Sequence, residues 1–398
     1  MSRLRCSRQP VIEWSGLLTA LLTGCLIMSA CSGSHPNTMA ARRPKPSPTS
    51  VAEWSDSSPT AIAGRFTYFR LPYGTPALTR VVRGPDGALW FTANDSQHVE
   101  GQPFSIPFND SIVRMTTAGA VNVFPLPNAD SRPDGITAGP DGNLWFTESD
   151  GNAVGRITPR GTITEFLVPP RSHRSPMGSL PFSQPHAIVV GPDDNLWVPD
   201  EGGNRIWRIT PAGVLTSFSI PAHAENPGGG YPYGIAAGPG GAVWFTEVTG
   251  MRIGRLTMDG HITEFKLPGV NHIPSDIIDG SDGAVWFLEP NQSAVGRITI
   301  GGQISEFALP HASCFSPGTQ TASEYGDCQV EDLTLGSDGA VWFSEQWNQA
   351  LGRMDEHGHV TEFRLPAALP LSGPTALTSG PDGALWFVYD RGVARWSL

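Results

Sequence analysis

Two positions in a repeated segment carry the side chains that could do chemistry, each at a fixed distance from a tryptophan. Eleven residues before the tryptophan stand Thr79, Asp134, His186, Tyr233, Ser275, Glu331 and Thr375. Three residues after it stand Ala93, Glu148, Asp200, Glu247, Glu289, Glu345 and Tyr389. Four repeats therefore have an ionisable side chain at both positions, and such pairs can transfer protons or hold a cation.

His186 departs from the repeat's pattern, and its repeat also supplies Asp200. A histidine beside a carboxylate can act as an oriented general base. We therefore predict His186 as a catalytic residue. The residues predicted to bind a ligand around it are Asp134, Asp200, Tyr233 and Glu247. The alternative is a histidine that only makes hydrogen bonds within the protein.

Glu331 and Glu345 form the repeat pair with a glutamate on both sides. Two facing carboxylates either share a proton or hold a cation. We predict Glu331, Glu345 and Glu148 as ligands of Mg²⁺ or Ca²⁺. The alternative is that the recurring glutamate caps a backbone turn in each repeat.

The repeat itself predicts how these residues are positioned. Its clearest copy is GPDGNLWFTESDGNAVGRITPRGTITEFLVP, residues Gly139–Pro169, and its tryptophan recurs seven times at spacings of 42 to 56 residues. Each copy contains four short β-favouring runs, the first two joined by an Asp-Gly turn. This period is typical of a propeller blade. We predict an all-β fold, a seven-bladed β-propeller with four-stranded antiparallel blades.

The two ends of the repeat region predict a closed ring. The last copy ends with its third strand, at Ala394–Leu398, and lacks a fourth. A run that matches the fourth strand, Phe66–Pro72, precedes the first copy. We therefore expect the N-terminal strand to complete the last blade, within a propeller domain of residues 63–398.

The segment before the propeller predicts export. Residues 1–31 have a basic start and an apolar stretch that ends at a cysteine, as in a bacterial lipoprotein-type signal peptide. We predict lipidation at Cys31, with Cys25 as the second choice; the alternative is an uncleaved signal anchor. Residues 32–62 are rich in Ser, Pro, Ala and Thr and predict a disordered tether.

Export also bears on the two remaining cysteines. Cys314 and Cys328 lie in one insertion, and in an exported protein they are expected to form a disulfide. The predicted localisation is the cell envelope or the outside of a bacterium, with a lipid anchor as the only membrane contact. We expect a monomer.

The charge of the propeller limits its partners. The chain carries −11 and its first 50 residues +5, so the rest carries −16. An acidic surface is a poor binder of nucleic acid. It suits a divalent cation or a cationic ligand, although solubility alone would also explain it.

The repeat units GPDGNLWFTE and NAVGRITPRGTITEF resemble those of the streptogramin B lyase family, also called virginiamycin B lyases, over roughly residues 66–398. The resemblance implies a seven-bladed propeller and a carbon–oxygen lyase that opens the ring of streptogramin B antibiotics by elimination. It also implies Mg²⁺, a histidine base and glutamate ligands near the mouth of the channel.

The family's catalytic motif, Glu-Pro-His-Gly at the start of the last blade, does not match this chain. Here the segment reads Ser372-Gly373-Pro374-Thr375-Ala376, and Tyr389 stands where the family has a glutamate. The third blade has a related form, Pro185-His186-Ala187-Ile188.

Long insertions between the fourth strand of one blade and the first strand of the next, at residues 169–185, 220–232 and 309–330, are expected on one rim of the channel, the looped rim. Two function hypotheses follow. The first is an exported, metal-assisted lyase-like enzyme with its site at this looped rim. The second is a non-catalytic propeller, tethered at the envelope, that binds a small molecule, glycan or protein at the channel mouth. A metal-dependent lactonase is a third and weaker alternative.

Overall fold

A computed structural model describes eleven segments of the chain, all within the unit Ser50–Leu398. These segments are residues 60–62, 66–71, 77–94, 110–128, 130–169, 183–224, 229–309, 330–346, 348–366, 373–389 and 392–397. The predicted signal peptide with Cys25 and Cys31 lies outside them, as do the predicted disulfide Cys314–Cys328 and most of the predicted tether. Across the described segments, no helix has the length and apolar character needed to cross a membrane.

Seven antiparallel sheets form the blades, which confirms the predicted propeller. Blade 1 contains β3 (Ala77–Arg83), β4 (Leu89–Asn94), β5 (Ser111–Met115) and β6 (Val121–Pro125). Blade 2 contains β7 (Pro133–Ala138), β8 (Leu144–Glu148), β9 (Ala153–Ile157) and β10 (Ile163–Leu167). Blade 3 contains β11 (Val189–Val190), β12 (Leu196–Asp200), β13 (Arg205–Ile209) and β14 (Leu215–Ser219).

Blades 4 to 6 repeat this arrangement. Blade 4 contains β15 (Pro232–Gly238), β16 (Ala242–Glu247), β17 (Arg252–Thr257) and β18 (Ile262–Lys266). Blade 5 contains β19 (Ile277–Asp279), β20 (Ala284–Glu289), β21 (Ala294–Thr299) and β22 (Ile304–Ala308), with a one-turn 3-10 helix at Pro290–Gln292. Blade 6 contains β23 (Val330–Leu335), β24 (Val341–Glu345), β25 (Ala350–Met354) and β26 (Val360–Arg364).

Blade 7 closes the ring as predicted from the chain ends. Its strands β27 (Pro374–Ser379), β28 (Leu385–Tyr389) and β29 (Gly392–Trp396) are completed by β2 (Phe66–Arg70), with Phe66 opposite Trp396. A fifth strand, β1 (Thr60–Ile62), pairs with β2 at the edge of this sheet. The last three residues of the segment predicted as a tether, Thr60–Ile62, therefore belong to the sheet.

The tryptophan of each repeat holds its blade together. Six of the seven indoles donate from Nε1 to the aspartate four residues earlier, at 2.8 to 3.1 Å, which explains the Asp of the recurring Gly-Pro-Asp-Gly turn. In every blade a phenylalanine of the fourth strand stacks on the indole, with ring centroids 5.2 to 5.8 Å apart. The first glycine of the turn is required, because a Cβ on Gly84 would lie 2.3 Å from Cδ1 of Trp90.

The first strand of each blade lines the centre of the ring. In the order β3, β7, β11, β15, β19, β23, β27, each of these strands contacts the next, and β27 contacts β3. Near the start of the inner strand, blades 1, 2, 4, 6 and 7 have a shift in register. A bulge of this kind redirects side chains locally, and in blades 1 and 6 it lies at the cavity residues Arg80 and Asp332.

Candidate functional site

The starts of the inner strands enclose a cavity of about 200 Å³ in the described part of the channel. Its lining is mixed, with aliphatic side chains around a group of ionisable residues drawn from six blades. These residues are Arg80, Asp134, His186, Tyr233, Asp276 and Asp332. Three of them, Asp134, His186 and Tyr233, were expected from the sequence, and the structure brings those three together.

Threonines of the second strands fix the inner strands in place. Thr147 in blade 2 accepts a hydrogen bond from the amide of Gly135 in its own blade, at 2.9 Å, and donates to the carbonyl of His186 in blade 3. Thr92 donates in the same way to the carbonyl of Asp134 across the next blade boundary, at 2.6 Å. Because the same bond recurs at both blade boundaries, it fixes the position of the backbone that carries the cavity side chains.

Arg80 is the centre of the cavity. Its Nη1 lies 3.2 Å from Oδ1 of Asp332 and 3.4 Å from Oδ2 of Asp276, and its Nε lies 3.9 Å from Oδ1 of Asp134. Burial alone would lower the pKa of Arg80, but these carboxylates raise it well above its ordinary value. The guanidinium therefore stays charged and links blades 1, 2, 5 and 6 across the channel.

His186 is held between two carboxylates. Its Nδ1 lies 2.9 Å from Oδ2 of Asp134, and its Nε2 lies 2.6 Å from Oε2 of Glu201. Burial lowers the pKa of His186, but the two carboxylates outweigh burial and raise the pKa to about 9. The ring also packs on Tyr233, with centroids 4.9 Å apart. In this arrangement His186 is an imidazolium that donates two hydrogen bonds, which favours a positioning role over the predicted general base.

The raised pKa of His186 predicts a pH-dependent effect of its removal. A histidine with a raised folded-state pKa stabilises the fold fully below its unfolded pKa of 6.5, and the contribution disappears as the pH rises through about 9. We expect His186→Gln to lower the free energy of unfolding by about 3 kcal/mol near pH 6 and by much less at pH 10. Urea unfolding of the wild type and the variant at several pH values measures the difference; an equal loss at pH 6 and pH 10 would contradict it.

Asp200 lies beside Pro185 in the backbone, but its side chain bonds other residues than His186, its predicted partner. The Asp200 side chain is fully buried and accepts from Ser183 Oγ at 2.9 Å, Arg205 Nε at 2.7 Å and Trp207 Nε1 at 3.0 Å. These bonds connect the start of blade 3 to its third strand. The partners that His186 does have, Asp134 and Glu201, come from the neighbouring blade and from the residue after Asp200.

The glutamates that end the second strands point toward the outer strands of their own blades. Burial and the nearby Glu165 raise the pKa of Glu148 to about 7, and burial with Glu264 raises that of Glu247 to about 8. Glu345 is buried and accepts from Asn348 Nδ2 at 2.8 Å.

The predicted metal ligands are not gathered at one point. Within the described segments, the group of three possible metal ligands whose donor atoms lie within 4.8 Å of one another is His272, Glu289 and Glu306. Burial raises the pKa of Glu331, which lies close enough to Arg80 to feel its charge. The placement of Glu148, Glu331 and Glu345 therefore gives no support to a cation shared among the three.

Four residues of the site were not predicted from the sequence. Arg80, Asp276 and Asp332 stand ten residues before their tryptophans, one position after those selected, and Glu201 follows the second strand of blade 3. Ten residues before the tryptophan, the other four blades have only glycine or alanine. That contrast was the available signal, because a charged residue among small ones is unexpected beside a channel.

The last blade does not fit the metal that the family resemblance implies. Thr375 occupies the place of the family's histidine, and Tyr389 occupies that of a glutamate ligand. Tyr389 is fully buried in a core cluster with Phe66, Phe387 and Ala394. The phenol of Tyr389 packs among these side chains and cannot replace the carboxylate that a glutamate would provide to a divalent cation.

Comparison with known proteins agrees with the repeat and the ring. The model of the virginiamycin B lyase family matches residues 58–230, 179–325 and 318–392. A virginiamycin B lyase of Nocardia farcinica is 28% identical over 198 residues, which cover 37% of this chain and 65% of that protein. This chain thus spans slightly less than two thirds of the Nocardia relative.

Solved structures match over a larger part of the chain. The virginiamycin B lyase of Staphylococcus aureus has 28% sequence identity and a TM-score of 0.69, covering 84% of this chain and 99% of that one. A catalytically inactive variant of the Staphylococcus aureus enzyme with quinupristin gives 28% identity and a TM-score of 0.68 at the same coverage. On its repeats, its seven-bladed ring and the family match across all blades, the chain belongs to the virginiamycin B lyase family.

Proposed function

We propose that this chain is an exported, non-catalytic member of its family that binds a small cationic molecule at the mouth of the central channel. The observation that carries the proposal is the composition of the cavity. Asp134, Asp276 and Asp332 line the cavity with Arg80 and His186, and Glu201 bonds His186 from beside it. Burial and the neighbouring Asp276 raise the pKa of Asp332 well above its ordinary value. Even with Asp332 protonated, three carboxylates face two cations. This acidic surplus favours a ligand that brings a positive charge.

The hydrogen-bonding state of the cavity supports binding over proton transfer. Both ring nitrogens of His186 are bonded to carboxylates, and the guanidinium of Arg80 is fixed by three more contacts. A general base needs a free lone pair on the acceptor atom. The side chains instead form a preorganised polar surface, which is what a binding site requires.

A metal-assisted carbon–oxygen lyase is the second candidate. It is favoured by the structural match, because the chain covers 99% of the Staphylococcus aureus lyase. Such an enzyme would act at the looped rim on an ester-linked ring. It ranks second because the last blade has Thr375 and Tyr389 at the positions where the family places its base and a metal ligand.

Binding of matched small ions tests the first candidate. Putrescine and succinate have the same four-carbon length and opposite charge, and either is small enough for a cavity of about 200 Å³. We expect isothermal titration calorimetry to show binding of putrescine and none of succinate. Glu201→Gln is expected to weaken putrescine binding about tenfold, since one tenth of the affinity corresponds to about 1.4 kcal/mol, the scale of one charged hydrogen bond.

Glu356→Gln is the matched control, because Glu356 is an exposed glutamate on an outer turn. It should leave putrescine binding unchanged. Equal weakening by both substitutions would show a general charge effect and contradict a site at the channel. Binding of succinate instead of putrescine would contradict the proposed ligand class.

A further inference from the structure

A second group of functional side chains lies in blade 5, outside the central cavity. We propose that His272, Glu289 and Glu306 bind a first-row transition-metal ion, with Zn²⁺ as the best fit. His272 lies in the loop before β19, Glu289 ends β20, and Glu306 lies in β22. One donor atom of each residue lies within 4.8 Å of the other two.

The distances fit one ion after small side-chain movements. Nδ1 of His272 lies 2.7 Å from Oε2 of Glu289 and 3.2 Å from Oε1 of Glu306. Tetrahedral ligands about 2.1 Å from zinc are separated by roughly 3.4 Å. Glu306 is already near that separation, and Glu289 needs to move by less than the length of a bond.

Glu289 combines a buried, unpartnered carboxylate oxygen, a feature that Glu148 and Glu247 share, with a histidine and a second carboxylate beside it. Its side chain has 0% exposure, and its Oε1 is buried with no hydrogen-bond partner among the described residues. An unpartnered buried carboxylate oxygen costs free energy that a cation would recover. A cation beside Glu289 could coordinate either of its oxygens.

The donor types select the kind of metal. One imidazole nitrogen with two carboxylates suits zinc and other first-row ions, whereas Ca²⁺ and Mg²⁺ prefer sites made of oxygen alone. His272 and Glu306 are partly exposed, at 17% and 26%, so the ion would keep a side open to water. The cluster would thus hold three protein ligands and at least one water.

Among blades 2 to 5, the position of His272 carries a histidine in blade 5 alone. His272 stands fourteen residues before its tryptophan, and the corresponding residues of blades 2, 3 and 4 are Ser131, Ser183 and Gly230. Ser131 faces Glu148 and Ser183 bonds Asp200, so this position meets the acid that ends the second strand. A histidine at this position therefore adds a metal ligand where the fold already places a carboxylate.

Without a metal, Nδ1–H of His272 would donate to Glu289, with Glu306 nearby. Metal binding distinguishes the two states, because the ion must replace that proton. The test uses the full chain after treatment with EDTA and dialysis. We expect one equivalent of Zn²⁺ to bind by calorimetry, and Mg²⁺ or Ca²⁺ to compete poorly.

Two ligand substitutions and two controls locate the ion. Loss of a hydrogen-bond partner of a metal ligand costs about 10–100-fold in affinity, so His272→Gln, which removes a ligand, should cost at least about 100-fold. Glu306→Gln provides a second ligand variant at a more exposed position, with folding checked by circular dichroism. Glu165→Gln is the matched control from β10, and His359→Gln controls for the exposed histidines His357 and His359.

Co²⁺ absorption gives a readout that does not depend on stability. The wild type should show the stronger visible bands of a four- or five-coordinate ion, and His272→Gln should lose them. The proposal is overturned if zinc affinity is unchanged in His272→Gln, if His359→Gln alone abolishes binding, or if the wild type gives only the spectrum of aqueous cobalt.

Discussion

A chain that begins at Leu71 is expected not to fold, whereas one that begins at Ala63 should fold as a propeller. The first truncation removes β2, whose Phe66 and Phe69 are 2% and 3% exposed. Phe69 stacks on Trp386, with centroids 5.3 Å apart, and the strand pairs with β29 over five residues. Loss of a buried phenylalanine costs about 3–5 kcal/mol, so two of them approach the whole stability of a typical domain, about 5–15 kcal/mol.

The truncation at Ala63 is the matched control for this result. It removes β1, which pairs only with the outer edge of β2, and leaves the four strands of blade 7 intact. Soluble yield, circular dichroism and thermal melting compare the two chains. A folded chain beginning at Leu71, with a melting temperature near that of the control, would show that the ring does not depend on its closing strand.

The ring was predictable because two independent features of the sequence require it. The repeated tryptophan fixes the number of blades, and the missing fourth strand after Trp396 matches the extra strand at Phe66–Pro72. The structure pairs these two ends, with Phe66 opposite Trp396. Strand identity and order are local properties of a repeat, so comparison of its copies is sufficient to find them.

The residues of the cavity were only partly predictable. A regular strand alternates its faces, so one position per blade was expected to face the channel. The bulge at the start of the inner strand adds a residue there, and Asp332 contacts Arg80 although Glu331 was the predicted residue. Arg80 was missed because only one inner-strand position per blade was selected, and its contrast with the glycine or alanine of other blades becomes visible only when the next position is compared as well.

The recurring glutamates were misplaced for a different reason. Pairing along the sheet brings Glu148 beside Pro133, next to Asp134, and this proximity suggested a shared site. Neighbouring residues on adjacent strands can still point to opposite faces of the sheet. Asp134 contacts His186 in the channel, whereas Glu148 approaches Glu165 in the outer strand of its own blade.

The absence of the family's catalytic residues predicts a large defect in lyase activity. Elimination from a streptogramin B ring requires removal of a proton beside a carbonyl group by a general base. The expected position of that base holds Thr375, which has no ionisation near neutral pH. The expected position of a metal ligand holds Tyr389, and an unperturbed tyrosine titrates near ~10. A missing general base typically costs about 10²–10⁴-fold in rate.

We therefore expect this chain to open a streptogramin B antibiotic at least about 10²-fold more slowly than the Staphylococcus aureus virginiamycin B lyase, because the base is missing. Mass spectrometry of the linearised product, with and without Mg²⁺, measures the rate for both proteins. A residual reaction that decreases in His186→Ala, and not in the surface control His359→Ala, would mean that this histidine takes part despite its two carboxylate partners. Rapid ring opening that depends on Mg²⁺ would contradict the expected defect, because it would mean that another blade supplies the base and the metal ligands.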